Sequence, residues 1–154
     1  MKVQAAVTHA QGQPFAIEEV RLAGPGPNEV LVRIVATGVC HTDAVGRDLG
    51  VSPYPVVLGH EGAGVIEQVG DNVTRLAAGD HVVLSFAHCG QCNNCLTGHP
   101  TVCSIFNDLN FGGQMEDQSW RLYQGETPLS TFFGQSSFST HVVAHERNVV
   151  KVDP

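Results

Sequence analysis

Four cysteines crowd one short stretch of this chain. "CGQCNNC" spans residues 89–95 and Cys103 follows, so Cys89, Cys92, Cys95 and Cys103 read C-x2-C-x2-C-x7-C. Thiolates are soft donors, and four of them complete the tetrahedron zinc prefers, with sulfur about 2.3 Å from the metal. A C-x2-C step lets the backbone double back and bring two sulfurs to one ion; Gly90 eases such a turn, and Asn93 and Asn94 tolerate tight backbone. A site closed by four thiolates has no open position. It is therefore structural, and metal binding orders the loop that carries it. Two alternatives use similar spacings. An iron–sulfur cluster shares the C-x2-C-x2-C run but usually closes it with C-x3-C-P, whereas no proline follows Cys103. A redox disulfide favours a thioredoxin-like βαβ setting, which the flanking sequence lacks. His88 and His99 could replace a sulfur, but with four sulfurs present both read as solvent-facing neighbours.

The fifth cysteine, Cys40, lies far away in "GVCHTD", and a histidine, His60, sits in "GHEGAG". Taken alone, Cys40 is a small residue after a strand and His60 a hydrogen-bonded polar side chain. If the two share a metal, their donor atoms must approach within about 4 Å.

Composition bounds what these residues can belong to. A chain of 154 residues suffices for one domain with its own core. Hydrophobic residues make up 42% and charged residues 15%, which fits a soluble globular fold rather than disorder. A net charge of −7 without a Lys/Arg cluster argues against a nucleic-acid partner. No apolar run approaches the ~20 residues of a membrane span, and "MKVQAAVTHAQG" lacks the apolar stretch of a secretory signal. The expected location is cytoplasmic, where thiols stay reduced. Five cysteines, an odd number, also fit poorly with a disulfide framework.

The elements that must position these residues are mainly strands. Short β-branched runs are expected to form strands at 3–8, 15–20, 29–36, 63–69, 81–86, 138–144 and 148–152. In "EVLVRIVATG", Val30, Val32 and Ile34 face one way and Leu31, Arg33 and Val35 the other. "GPGPNE" and "VGDN" supply turns. One helix is expected near 41–49, weakened by Gly46. The polar, glycine-rich segment 87–134 breaks the strand pattern and needs something to fix it. This pattern suggests a mainly β sandwich or partly closed barrel.

Longer motifs then connect the two clusters. "GHEGAGVIEQVGDNV" fits G-H-E-x2-G-x5-G-x2-V, from Gly59 through Gly64 and Gly70 to Val73. It closely resembles the signature of zinc-dependent medium-chain alcohol dehydrogenases. "GVCHTD" looks like the first catalytic zinc ligand of that family with its surroundings, and the four-cysteine segment resembles its structural zinc loop. Within the family, "FFGQSSFSTHVVAHERNVVKV" is most similar to the aryl-alcohol (benzyl alcohol) dehydrogenases. The resemblance implies a GroES-like, partly open β-barrel across 1–154, with a zinc-stapled lobe at about 87–104.

The same resemblance assigns roles. Cys40 and His60 become two ligands of a catalytic zinc, with Glu61 an alternative ligand; the family's third ligand is a later cysteine, and none follows Cys103 here. Asp43 takes the place of the carboxylate that orients His60. Thr42 matches the hydroxyl that takes the alcohol proton, while zinc favours the alkoxide that gives hydride to a nicotinamide ring. His41 stands where many relatives contact the cofactor pyrophosphate with arginine, and Val45 where many end the proton relay with histidine. Valine carries no proton, so the relay is expected to run through water or the cofactor ribose. Phe86, Phe132 and Phe133 occupy substrate-pocket positions that favour aryl alcohols.

No G-x-G-x-x-G follows a strand; "GAGVIE" ends in Glu67 and belongs to the GHE motif. The family's dinucleotide domain is therefore expected outside this chain, with "KVDP" at 151–154 as the seam. The resulting expectation is the catalytic-domain portion of an enzyme that oxidises primary, aryl alcohols to aldehydes with NAD(P). It would bind no nucleic acid or membrane, would be homo-oligomeric when complete, and would be inactive as this chain alone. The competing reading is a non-catalytic, zinc-stapled β-domain used for protein–protein contact. Such a staple needs none of Cys40, Thr42, Asp43, His60 and Glu61.

Overall fold

The computed structural model describes residues 1–153. Its strands are β1 (Lys2–Thr8), β2 (Ala16–Leu22), β3 (Glu29–Thr37), β4 (Val56–Val57), β5 (Gly62–Val69), β6 (His81–Leu84), β7 (Leu122–Gln124), β8 (Thr127–Thr131), β9 (His141–His145) and β10 (Val149–Lys151). Three short helices join them: α1 (His41–Leu49), α2 (Asn93–Leu96) and α3 (Phe106–Phe111).

The strands form two sheets. One closes on itself in the order β1-β2-β7-β8-β4, with β4 also pairing β1. The other runs β10-β6-β5-β3-β9. All pairings are antiparallel except the parallel contact of β4 with β8. Alternation fills the ring: Val3, Ala5 and Val7 of β1 point inward against Val20, Leu22, Val57 and Leu129, while Lys2 and Gln4 face solvent.

β3 is the shared wall. Leu31 packs into the ring's core, whereas Val30 and Val32 pack on the opposite face with Ile66, Val82 and Val142. This matches the two-faced alternation expected from the sequence. Truncating Leu31 to alanine would cost about 2–5 kcal/mol, as for other buried leucines. Beyond Arg33 the strand leaves the core, and Val35 and Val39 are exposed. It thereby carries Gly38 and Cys40 to the mouth of the site.

The mainly β, barrel-based fold agrees with the sequence reading, with one refinement: the ring is closed, and a second five-stranded sheet accompanies it. Segment 87–134 is more ordered than its composition suggests. It holds α2, α3 and the β7–β8 hairpin, whose turn is made at Gly125 with φ 60. β4 and β7 have only two and three residues, too short to leave a period. β8 contains Pro128, a residue that argues against a strand.

Candidate metal centres and active site

The four clustered cysteines converge. One sulfur from each of Cys89, Cys92, Cys95 and Cys103 lies within 4.8 Å of the others. Cys89 Sγ is 3.9 Å from Cys95 Sγ, and Cys92 Sγ is 3.5 Å from it. A tetrahedron with metal–sulfur bonds of about 2.3 Å has edges of about 3.8 Å. The donor set therefore fits a single ion of the zinc type. A multi-iron cluster would need the sulfurs spread wider, and all five cysteines are free thiols.

Local backbone explains the convergence. Gly90 turns at φ 71, and a Cβ there would meet the Arg147 Nε at 2.9 Å. Arg147 also donates to the His88 carbonyl, so β9's exit braces the start of the lobe. Amides point inward as well: Cys92 N–H donates to Cys89 Sγ at 3.3 Å, and Cys89 N–H to Cys103 Sγ at 3.4 Å. Backbone hydrogen bonds from Ser104 and Cys95 bring the Cys92 thiol down to about 5. Desolvation, and then the adjacent Cys92 sulfur, push Cys95 up to about 12. Four thiolates so close repel one another, so protons must share the quartet until a divalent cation neutralises it. His88 and His99 stand outside the quartet. His99 is exposed, but His88 is half-buried rather than solvent-facing, its ring 5.9 Å from that of Phe86.

The second cluster unites Cys40, His60 and Glu61, whose donor atoms also lie within 4.8 Å of one another. Cys40 is the N-cap residue of α1 with extended backbone (φ −107, ψ 158). Asp43 reaches back to accept the Cys40 N–H at 2.9 Å, in the manner of a capping box. Its other oxygen accepts from Gly59 N–H and from His60 Nδ1, both at 3.0 Å. That bond assigns the proton to Nδ1 and leaves Nε2 facing Glu61 Oε1 at 4.0 Å. Burial works to raise the Asp43 carboxyl, but the His60 and amide hydrogen bonds outweigh it and hold the group below its ordinary value. Asp43 in turn raises His60. The Thr42 backbone and hydroxyl lower the Cys40 thiol, and the two side chains sit 3.5 Å apart.

Glycine makes room for the third donor. A Cβ on Gly38 would fall 1.9 Å from Glu61 Oε2, so only glycine lets that carboxylate fold onto the site. A cysteine, an imidazole and a carboxylate make a donor set suited to zinc.

Around the trio, His41 is exposed at the start of α1, Val45 is half-buried, and Phe86 and Phe133 are partly exposed. Phe132 is fully buried in the cluster with Val56 and Leu58, and its ring edge meets His60 at 5.7 Å. Sequence reasoning missed Phe106, Phe111 and Asn110. Phe106 and Phe111 extend the aromatic wall, the first 5.7 Å from Phe86 and the second 5.2 Å from Phe133. Asn110 is completely buried and exchanges two hydrogen bonds with the Ala87 backbone. The run of phenylalanines in the sequence hints at the wall; nothing marks Asn110.

Comparison with known proteins settles the class. Residues 26–154 match the family described as "Alcohol dehydrogenase GroES-like domain", and the chain belongs to that family. Among particular relatives, geraniol dehydrogenase of Castellaniella defragrans is 51% identical over 154 residues, covering 99% of this chain and 41% of its own length. The crystal structure of an alcohol dehydrogenase zinc-binding domain protein from Burkholderia ambifaria superposes with TM-score 0.96 at 51% identity, over 99% of this chain and 42% of that one. Benzyl alcohol dehydrogenase from Acinetobacter calcoaceticus superposes with TM-score 0.93 at 45% identity, over 99% of this chain and 41% of that one. The chain thus spans about two fifths of the length of these relatives. No helix among the described residues is long and apolar enough to cross a membrane.

Proposed function

We propose that this chain forms the zinc-binding part of an NAD(P)-dependent alcohol dehydrogenase acting on primary alcohols with apolar, aryl-type side groups. The observation that carries the reading is the pair of separate donor clusters, one of four thiolates and one of Cys40, His60 and Glu61. Zinc at the trio would act as a Lewis acid on the substrate oxygen. The chain's own residues supply the rest. Asp43 fixes the His60 tautomer and the start of α1. Thr42 places a hydroxyl beside Cys40, where it can accept the alcohol proton and hand it on. Val45 cannot extend that relay, so the proton leaves through water or the cofactor ribose. His41, exposed at the first turn of α1, is the candidate contact to a cofactor phosphate. Phe86 and Phe133 offer ring surface to an aryl group, with Phe132 beneath. Names of relatives support this reading in part: geraniol and benzyl alcohol dehydrogenases are both similar over nearly the whole chain, both named alcohols are primary and apolar, and benzyl alcohol carries the aryl group.

The test is a chimaera in which this chain replaces the equivalent part of the geraniol dehydrogenase relative. NAD(P)-dependent oxidation of benzyl alcohol, abolished by Cys40→Ser or His60→Gln, is the expected result. A folded chimaera that binds two zinc ions and turns over no alcohol would favour the contact-module reading instead.

A further inference from the structure

Three groups hold the imidazole of His60. The Phe132 ring stands edge-on to it with centroids 5.7 Å apart, and two others lie closer. Asp43 grips its Nδ1 edge, and the ring of Phe133 lies against one face, with centroids 4.7 Å apart and planes at 25°. We propose that Phe133 is a positioning residue for His60: its ring fixes the plane in which Nε2 meets Cys40 and Glu61. This rests on the reading of the trio as a metal site.

Three observations support it. First, Phe133 has φ 52, a left-handed backbone that a bulky aromatic residue adopts only where its surroundings over-determine it. Second, those surroundings are present. Phe133 N–H donates to the Asn110 carbonyl at 2.9 Å, and the Asn110 side chain is itself locked to Ala87, two residues before Cys89. Third, the ring is clamped by edges: Phe106 at 6.4 Å and 82°, Phe111 at 5.2 Å and 85°, Phe132 at 4.7 Å and 73°. Offset stacking with edge-on support is the favoured aromatic geometry, and it leaves the stacked imidazole little freedom to turn. The hydrogen bond to Asp43 fixes one nitrogen, but tilting about that bond must be stopped by contacts with the ring itself. Phe132 meets it edge-on at 5.7 Å, and Phe133 is the closer wall, near-parallel to its face at 4.7 Å.

The experiment uses the chain with the four-cysteine lobe filled by zinc. Cobalt(II) is titrated into the trio and followed by the thiolate-to-cobalt absorption, while the His60 ring protons are followed by NMR before cobalt is added. Phe133→Leu keeps bulk without the aromatic face; Phe133→Gly takes the same φ without strain and removes the ring; Phe133→Tyr keeps the stack. The leucine and glycine variants are expected to bind cobalt about tenfold more weakly, as for other residues that orient a ligand. Lobe zinc should stay at one ion per chain. Their His60 ring protons should lose the upfield shift that the stacked ring imposes, and the tyrosine variant should behave as wild type. Cobalt affinity within twofold of wild type in both ring-less variants, or unmoved His60 signals, would overturn the proposal. A wild-type chain showing no thiolate–cobalt band would instead refute the metal reading of the trio, and the NMR comparison would still decide whether Phe133 holds the ring.

Discussion

Asp43 accepts three hydrogen bonds through two oxygens, from the Cys40 and Gly59 amides and from His60 Nδ1. An amide in its place offers one acceptor oxygen and an unwanted donor. Asp43→Asn should therefore weaken metal binding at the trio about 10–100-fold, as for comparable outer partners of a metal ligand. Zinc in the four-cysteine lobe should be retained, which competition with a chromogenic chelator would show as one tight and one weakened site. Gly38→Ala makes a different cut. The added methyl collides with the movable end of Glu61 rather than with backbone, so thermal stability should change little while the trio loses its carboxylate. The variant should match Glu61→Gln in cobalt affinity; binding as tight as wild type would mean that Glu61 takes no part. At this scale the sequence was informative about which side chains come together. Cys40, Thr42, Asp43, His60 and Glu61 were all legible from two short motifs, and the structure gathers them. Gly38 and Phe133 were not. Their importance lies in a close approach and a left-handed turn, which depend on what packs opposite rather than on the residue itself.

The lobe and the loop after it are held by different forces. The lobe of residues 87–104 contains two helical turns and few buried side chains, so metal ligation by its four cysteines would be the main source of its order. Removing metal with a strong chelator, or replacing Cys103 with serine, should open it to limited proteolysis between Gly90 and Val102. The barrel strands should keep their amide protection; loss of the whole fold at once would contradict this division. The following loop is pinned by charge. Arg121 donates from Nε to Glu29 Oε2 at 2.9 Å and from Nη2 to Asp117 Oδ2 at 2.8 Å, fastening residues 117–121 to the start of β3. Burial tends to raise Asp117, but hydrogen bonds from Ser119 and Arg121 prevail and lower it to about 2. A depressed carboxyl stabilises the fold above its unfolded value of about 3.9 and loses that contribution as pH falls toward 2. Urea midpoints of Asp117→Asn should thus be lower than wild type at neutral pH and converge with it between about pH 4 and pH 2. Parallel curves would remove the loop's electrostatic anchor. Strands with clear alternation were legible to within a few residues, whereas β4, β7 and β8 were hidden. β4 and β7 are short, β8 carries Pro128, and the partners that build β4 and β7 into the ring, β1 and β2, lie far along the chain.

Across the whole molecule, distant segments complete each other. β1 pairs with β4, β2 with β7, and β3 with β9, so neither sheet is made from neighbours alone. A chain ending at residue 121 lacks both β7 and β8, and the ring cannot close without them. Such a truncation should show collapsed amide dispersion in NMR, whereas the intact chain should unfold in a single transition. The coarse architecture could be read from strand spacing and motif order. That β4 and β8 would run side by side in the same direction could not, since a parallel contact of two residues leaves no signature. This late closure bears on how the protein is born. While the ribosome still shields Thr131, the emerging polypeptide has nothing with which to seal its apolar ring. Val3, Val7 and Val20 must wait, wetted and vulnerable to chaperone capture, until the last staves of the cask arrive.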